Sequence, residues 1–284
     1  MLAHKFLDHV ETALSWIHIA LQFKYDGVRC LNVGDELYTR TGKIMYAVPH
    51  IKEEVNEIFI SGTGVSELDL DGELYNHDLK DDFNELTSIV RKQKLEESDI
   101  QKSKELMQYH IYDIISTTQT FFERYSLLKY ILEETEYKHL CLAPTVFLDN
   151  SEGQITKEIL YEYLTEYQSL GYEGMMIRNA DSFYENKRTK NLLKWKEFED
   201  DEFELIGIEE GRGNRAGMAA KVFCKDKRGE EFSAGLRGTT DYCRQLLIDK
   251  DKLIGKQVTI RYQNLTPDRK VPRFGKMLAV RDYE

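Results

Sequence analysis

The constraint that most limits how this chain can fold is a change of character near residue 200. Before the acidic run "EFEDDEFE" at 197–204 helical and strand periodicities alternate, whereas after it come the short runs "FELIGIEEG", "AAKVFCK", "EEFSAGL" and "KQVTIRYQNL", with one helical run, "TTDYCRQLLID", among them. Alternating strands have one apolar face each, and several of them within about 85 residues bury those faces by closing into a small barrel of the type that binds oligonucleotides. A boundary is therefore expected near Asp200, giving domains of 1–200 and 201–284.

In the larger part, "DGVRCLNV", "LDLDGELY" and "EGMMIRN" read as strands, and "FNELTSIVRKQ", "FFERYSLLKYILEET" and "TKEILYEYLTEYQSLG" as helices. The last has a cap residue at Thr156 and a stop at Gly171. The apolar run "ALSWIHIAL", Ala13 to Leu21, is broken by His18. It is far shorter than the roughly 20 residues of a membrane span, and no basic head or small-residue cleavage site accompanies it, so a cytoplasmic protein without membrane contact is expected. Cys30, Cys141, Cys224 and Cys243 are scattered without a Cys-x-x-Cys pair, and the histidines lack metalloprotease spacing. Reduced core thiols are expected, with neither a zinc site nor a disulfide scaffold.

A net charge of -11 argues against a phosphate-rich partner, but its distribution argues the other way. The acids crowd "EESD" at 96–99, "EETE" at 133–136 and the run at 197–204, leaving "KRTKNLLKWK" at 187–196, "GRGNRAGMAAKVFCKDKRG" at 211–229 and "PDRKVPRFGK" at 267–276 strongly basic. Blocks of one sign suit either a channel that attracts polyanions or a solvated lysine-rich face.

Three short stretches carry chemistry. "KYDGVRC" at 24–30 places a lysine before an Asp-Gly pair and an arginine after it, which fits an ordinary hairpin or a nucleophile beside a phosphate clamp. In "DLDGELY" at 69–75 a strand would put Asp69, Asp71 and Glu73 on one face, where like charges repel and call for a divalent metal or a lysine cluster. "EGMMIRN" is introduced by another acid, Glu173, and "LLKWKEF" puts Lys194 and Lys196 on a common strand face, aimed at a phosphate or simply solvated.

Taken in order, KYDGVR, YTRTGK, LDGELY, HIYDII, EGMMIR, LLKWK and PRFGKMLAVRD resemble the motifs of the ATP-dependent DNA ligases, within the covalent nucleotidyltransferase superfamily, from about Phe23 to the last residue. The resemblance implies an α+β fold: an ATP-grasp-like adenylation domain of two antiparallel sheets with helices, followed by an OB-fold barrel. It implies that Lys24 attacks the α-phosphate of ATP to form lysyl-AMP, that Gln22 reads the adenine edge, that Tyr112 stacks on adenine and that Arg29 contacts nucleotide and nick. Arg40 would hold the nick's 5′-phosphate, and Glu73 and Glu173 would hold Mg²⁺ or another divalent cation. Arg188 would contact a phosphate, and Lys194 and Lys196 would surround the α-phosphate. Arg212 and Arg215, in the basic barrel stretch, are the expected grip on nicked duplex DNA. The family's terminal motif usually reads Arg-x-Asp-Lys; here Arg281 is retained, but Tyr283 and Glu284 stand where its acid and lysine would be, with Lys276 and Arg273 as substitutes.

The short stretch before Lys24 leaves no room for the extra domain of NAD-dependent ligases, so ATP is the expected donor and a minimal, viral or phage-like monomer the expected form. Rival readings are a GTP-dependent mRNA capping guanylyltransferase, an RNA ligase, and a silent nucleic-acid-binding protein that keeps the fold.

Overall fold

The computed structural model describes residues 1–60, 68–80, 82–133, 135–236, 238–266 and 268–281. The chain forms two compact units, Met1–Lys196 and Glu197–Glu284. Residue 200, where the sequence places the boundary, lies in the first strand of the second unit.

The strands of the first unit are β1 (Leu2–Lys5), β2 (His18–Lys24), β3 (Val28–Val33), β4 (Glu36–Thr39), β5 (Leu70–Tyr75), β6 (Gln108–Ile114), β7 (Leu140–Leu142), β8 (Thr145–Asp149), β9 (Gly174–Asn179) and β10 (Arg188–Trp195). They build one sheet in the order β1-β10-β9-β2-β8 and another in the order β4-β3-β5-β6-β7. The expectation of two antiparallel sheets needs one correction: β1 joins β10, and β7 joins β6, in parallel. A parallel neighbour needs a long crossover, and the chain supplies one each time. Between β6 and β7 it is the helix Phe121–Glu133; between β1 and β10 it is most of the unit.

The helices are α1 (Val10–Leu14), α2 (Pro49–Ile60), α3 (Phe83–Val90), α4 (Glu97–Leu106), α5 (Phe121–Glu133) and α6 (Lys157–Ser169). Helix α6 begins where Thr156 accepts a hydrogen bond from the Ile159 amide and ends before Gly171, whose φ of +91° favours glycine. Its Leu160, Leu164 and Tyr167 fall on one helical stripe and pack on Ile19, Leu21, Ile177 and Leu193 of the first sheet. Residues of α2, α3 and α5 share a second core with Cys30, Leu70, Leu74 and Ile111 of the other sheet.

The step from β2 to β3 decides the reading of "KYDGVRC". These strands do not pair with each other: β2 lies between β9 and β8, and β3 lies between β4 and β5. The Asp-Gly pair is thus a crossing from one sheet to the other rather than a hairpin. Gly27 is required there by proximity, since a Cβ would lie 2.3 Å from the Leu74 carbonyl oxygen and 2.7 Å from Cγ of Glu73.

The second unit contains β11 (Glu199–Glu210), β12 (Ala219–Lys225), β13 (Glu231–Leu236), β14 (Gln257–Tyr262), β15 (Asn264–Leu265), β16 (Pro272–Arg273) and β17 (Lys276–Val280), with α7 (Thr240–Ile248) and α8 (Lys250–Leu253). A closed barrel runs β11-β12-β13-β17-β14 around Leu205, Val222, Cys224, Val258, Ile260 and Met277. All four cysteines are free; Cys30 and Cys224 are core residues, whereas Cys141 and Cys243 are only partly buried.

Candidate active site

A cleft in the first unit is lined by Gln22, Lys24, Arg29, Arg40, Asp71, Glu73, Tyr112, Arg178 and Lys194, together with Met1 to Ala3 and apolar neighbours. The sheet crossing explains the assembly. Lys24 closes β2, Arg29 is cross-strand to Glu73, and Lys194 is cross-strand to Met176 in β9, so separate motifs of the sequence arrive at one hollow.

Lys24 carries the central charge. Its Nζ touches Oε2 of Glu173, while Nζ of Lys196 donates to Oε1 of the same carboxylate at 2.7 Å. Burial lowers the Lys24 ammonium below the usual lysine range, and Lys196 and Lys194 act the same way against the opposing pull of Glu73 and Asp26. Burial likewise lowers Lys194, helped by Lys196, Arg188, Arg40 and Lys5. An amine with a lowered proton affinity, surrounded by other cations, is a prepared nucleophile for an anionic electrophile.

The acidic face of β5 is resolved differently from the sequence expectation. Asp69 precedes the strand and accepts from the Gly34 amide at 3.0 Å, outside the cleft. Asp71 is almost wholly buried and receives Nε and Nη2 of Arg29 at 2.8 and 2.7 Å, plus the Tyr184 hydroxyl at 2.8 Å. Burial alone would raise the Asp71 carboxyl, but the Arg29 guanidinium outweighs it and holds it low. Arg29 is therefore committed to a bidentate pair, with its remaining surface on the cleft.

Gln22 lines the cleft, yet its amide is engaged on both sides. Nε2 donates to the Tyr112 carbonyl at 3.2 Å and to Oγ1 of Thr145 at 2.9 Å, and Oε1 accepts from Nε of Arg178 at 2.8 Å. The guanidinium of Arg178 also donates to Asp113 at 2.8 Å and lies over the Tyr112 ring at 5.4 Å. Asp113 is bound from its other side by Arg124. The sequence reading missed Arg178, Asp113, Arg124 and Tyr184. Arg178 and Asp113 stood inside recognised motifs, EGMMIR and HIYDII, and the signal was their charge.

Arg40 is exposed at the cleft edge, and Arg188 is exposed while donating to the Ala3 carbonyl. Arg212 and Arg215 are exposed around a short 3-10 turn in the second unit. Within that unit, Nε of Arg281 donates to Thr259 at 2.7 Å and pairs with Glu202 at 3.3 Å; Lys276 lies in β17, and the guanidinium of Arg273 lies 4.7 Å from the Phe274 ring. Tyr283 and Glu284 lie outside the described residues.

No group of three or more metal-ligating side chains occurs among the described residues. Magnesium, however, is commonly held by one or two carboxylates and completed by phosphate oxygens and water. Glu73 supplies a hard oxygen donor suited to this, and Glu173 would supply a second on release of an oxygen now paired with Lys24 or Lys196. Burial raises the Glu73 carboxyl and Lys24 does not offset it, so this acid is short of positive charge. The residues present fit a divalent cation.

A half-buried lysine beside two further lysines and two acids, in a two-sheet unit joined to a small barrel, defines the class of covalent nucleotidyltransferases with an OB-like domain. Residues 1–196 match the ATP-dependent DNA ligase domain and residues 210–281 the DNA ligase OB-like domain; the chain belongs to the ATP-dependent DNA ligase family. It is similar to the DNA ligase of Haemophilus influenzae, with 26% identity over 253 residues, covering 88% of this chain and 82% of that one. It is also similar to an African swine fever virus DNA ligase, 25% identical over 283 residues, of whose length this chain covers 63%. The fold matches that of a minimal-scaffold Lig E DNA ligase with a TM-score of 0.78 at 22% identity, covering 99% of this chain and 98% of that chain. With a Chlorella virus DNA ligase-adenylate the TM-score is 0.51 at 22% identity, covering 100% of this chain and 98% of that chain. No helix among the described residues is long and apolar enough to cross a membrane.

Proposed function

We propose that this chain seals nicks in duplex DNA, with Lys24 carrying AMP between ATP and the 5′-phosphate of the nick. The observation that carries the reading is the half-buried Lys24 amine, held by Glu173 in the field of Lys196 and Lys194. An ordinary lysine, with a pKa near ~10.4, is almost wholly protonated at neutral pH, so the amine must be relieved of its proton before it can attack.

In the first step the Lys24 nitrogen bonds to the α-phosphorus as the bond to the bridging oxygen breaks and pyrophosphate leaves. Lys194 and Lys196 neutralise charge on the phosphoryl oxygens, the main source of catalysis in such transfers. Tyr112 and Arg178 form the wall against which the adenine rests; Gln22, tied to both, fixes that wall more than it reads the base. A divalent cation on Glu73 and Glu173 would supply further neutralisation of the phosphate oxygens. In the later steps AMP passes to the 5′-phosphate held at Arg40 and Arg188, and the 3′-hydroxyl displaces it to join the strands. Arg212 and Arg215 grip the DNA backbone, and the enzyme works as a cytoplasmic monomer.

Radiolabelled nucleotides test the reading. The chain should acquire a label from ATP that is lost in Lys24→Ala, and should pass it to nicked DNA and seal the nick. A label acquired from GTP and not from ATP would replace this reading by that of a capping guanylyltransferase. Sealing by Lys24→Ala at the parent's rate would remove Lys24 from the chemistry.

A further inference from the structure

We propose that Lys5 is a phosphate-binding residue of this cleft: with Arg40, Arg188 and Lys194 it forms a cationic lip for a phosphate other than the one joined to Lys24. The inference deepens the nick-sealing reading and rests on it.

The placement follows from strand pairing. Lys5 ends β1 and lies in parallel register with Lys194 of β10. Register partners project to the same face of a sheet. Lys194 faces the cleft, whereas Leu193 and Trp195 on either side of it are packed in the core beneath α6. The next residue after Lys5 obeys the same alternation: Phe6 is buried and stacks on Trp195 at 4.3 Å. Lys5 is thus on the cleft side, and it is exposed.

Two ammonium groups directly opposite each other on neighbouring strands repel. Among the described residues neither Lys5, Arg40 nor Lys194 has a carboxylate partner, and the hydrogen bond of Arg188 goes to a neutral carbonyl. The mutual repulsion is felt at Lys194, whose ammonium is lowered first by burial and then by Lys196, Arg188, Arg40 and Lys5. A fold retains such uncompensated charge most readily where a ligand supplies the missing anion. The competing explanation is that β1 is an edge strand and its lysine merely discourages aggregation. That role needs an exposed charge, but it needs neither the cleft side nor a second lysine in register.

Phosphate at this lip has two sources in the reaction: the outer phosphates of ATP, or the 5′-phosphate of the nick. Two measurements on Lys5→Met and Lys5→Arg separate them. The first follows lysyl-AMP formation against ATP concentration. The second follows transfer from pre-adenylated enzyme to a nick bearing a 5′-phosphate, against DNA and salt concentration. Lys5→Met should raise the half-saturating concentration about tenfold in one arm, the size of one charge-assisted contact, with Lys5→Arg close to the parent and the melting temperature unchanged. If the DNA arm responds, the log–log salt slope should also fall by about 0.9. A response in the ATP arm assigns the lip to the triphosphate, and one in the DNA arm assigns it to the 5′-phosphate. No loss in either arm, a loss that Lys5→Arg fails to restore, or a loss that follows the melting temperature overturns the proposal. A parent chain that forms no adduct with ATP would instead overturn the nick-sealing reading itself.

Discussion

The two units solve the problem of a polar interior in opposite ways. In the first, Arg124 and Asp113 are wholly buried, Asp71 and Arg178 nearly so, and Gln22, Asn32, His50 and His139 accompany them; in the barrel, Thr259 is the one buried polar residue among those described. Buried ion pairs are seldom the cheapest way to stabilise a fold, because the desolvation of both partners offsets their attraction. Their concentration in one unit shows where the chain trades stability for fixed charge. The barrel keeps its charges outside, as in the pair Arg261–Asp200, where they are available to a partner and nearly neutral for folding.

The sharpest way to exploit this contrast is to remove the central charge. Lys24→Ala should abolish the nucleotide adduct completely while leaving the melting temperature equal to or above the parent's, because a desolvated ammonium is lost. A variant that melts well below the parent would mean that the ammonium is a structural tie. Next in size, Asp113→Ala strands the guanidiniums of Arg124 and Arg178, and should destabilise the first unit by about 3–5 kcal/mol in chemical denaturation. Arg261→Ala in the barrel should cost under about 1 kcal/mol. Equal costs would erase the distinction drawn between the units.

Acid supplies a third comparison. Burial lowers His50 to about 4, and burial with His77 lowers His110 to about 4, from an ordinary 6.5. Below that ordinary value the unfolded chain binds protons that the folded chain refuses, so stability falls as pH drops from 6.5 toward 4. The loss should be roughly 3 kcal/mol per histidine, confined to the first unit and reduced in His110→Phe. Melting temperatures that stay flat over this range in the parent would contradict it. The smallest effect concerns the titration of Lys24, the proposed nucleophile. Lys196→Met removes a repelling charge and leaves Glu173 to Lys24 alone; both changes strengthen the hold of Lys24 on its proton. The pH midpoint of adduct formation should therefore move upward, by about one unit. A downward movement would mean that Lys24 is not the titrating group.

Much of this was legible in one dimension. The strands 28–33, 174–179 and 219–225, the capped start of α6 and the shift to a barrel all follow from local periodicity. Lys24, Glu73, Glu173, Lys194 and Lys196 stood out by charge and spacing, but a hairpin, a salt-bridged strand or solvated lysines fitted those stretches as well, and it was the ordered resemblance to the ligase motifs that marked them as candidates. What could not be read depends on distant partners. Nothing in "LAHK" announces β1, which exists because residues near 190 give it a parallel edge to join. The Asp-Gly pair looks like a hairpin because turn chemistry is local, while the choice of sheet for each flanking strand is not. The committed amide of Gln22 and the bidentate hold on Arg29 come from Arg178 and Asp71, whose positions only folding reveals.

The crossing at Gly27 has a bearing on how errors spread through this molecule. Lys24 and Arg29 belong to different sheets but are joined by a few bonds of backbone, so their spacing is set by covalent geometry and survives loosening of the layers. Lys194 and Lys196 reach the same amine only through the seating of β10 on β9. Damage to the scaffold, whether by heat or by a remote mutation, would then silence the enzyme by withdrawing the cations that tune the amine, well before it separated the amine from its nearest arginine.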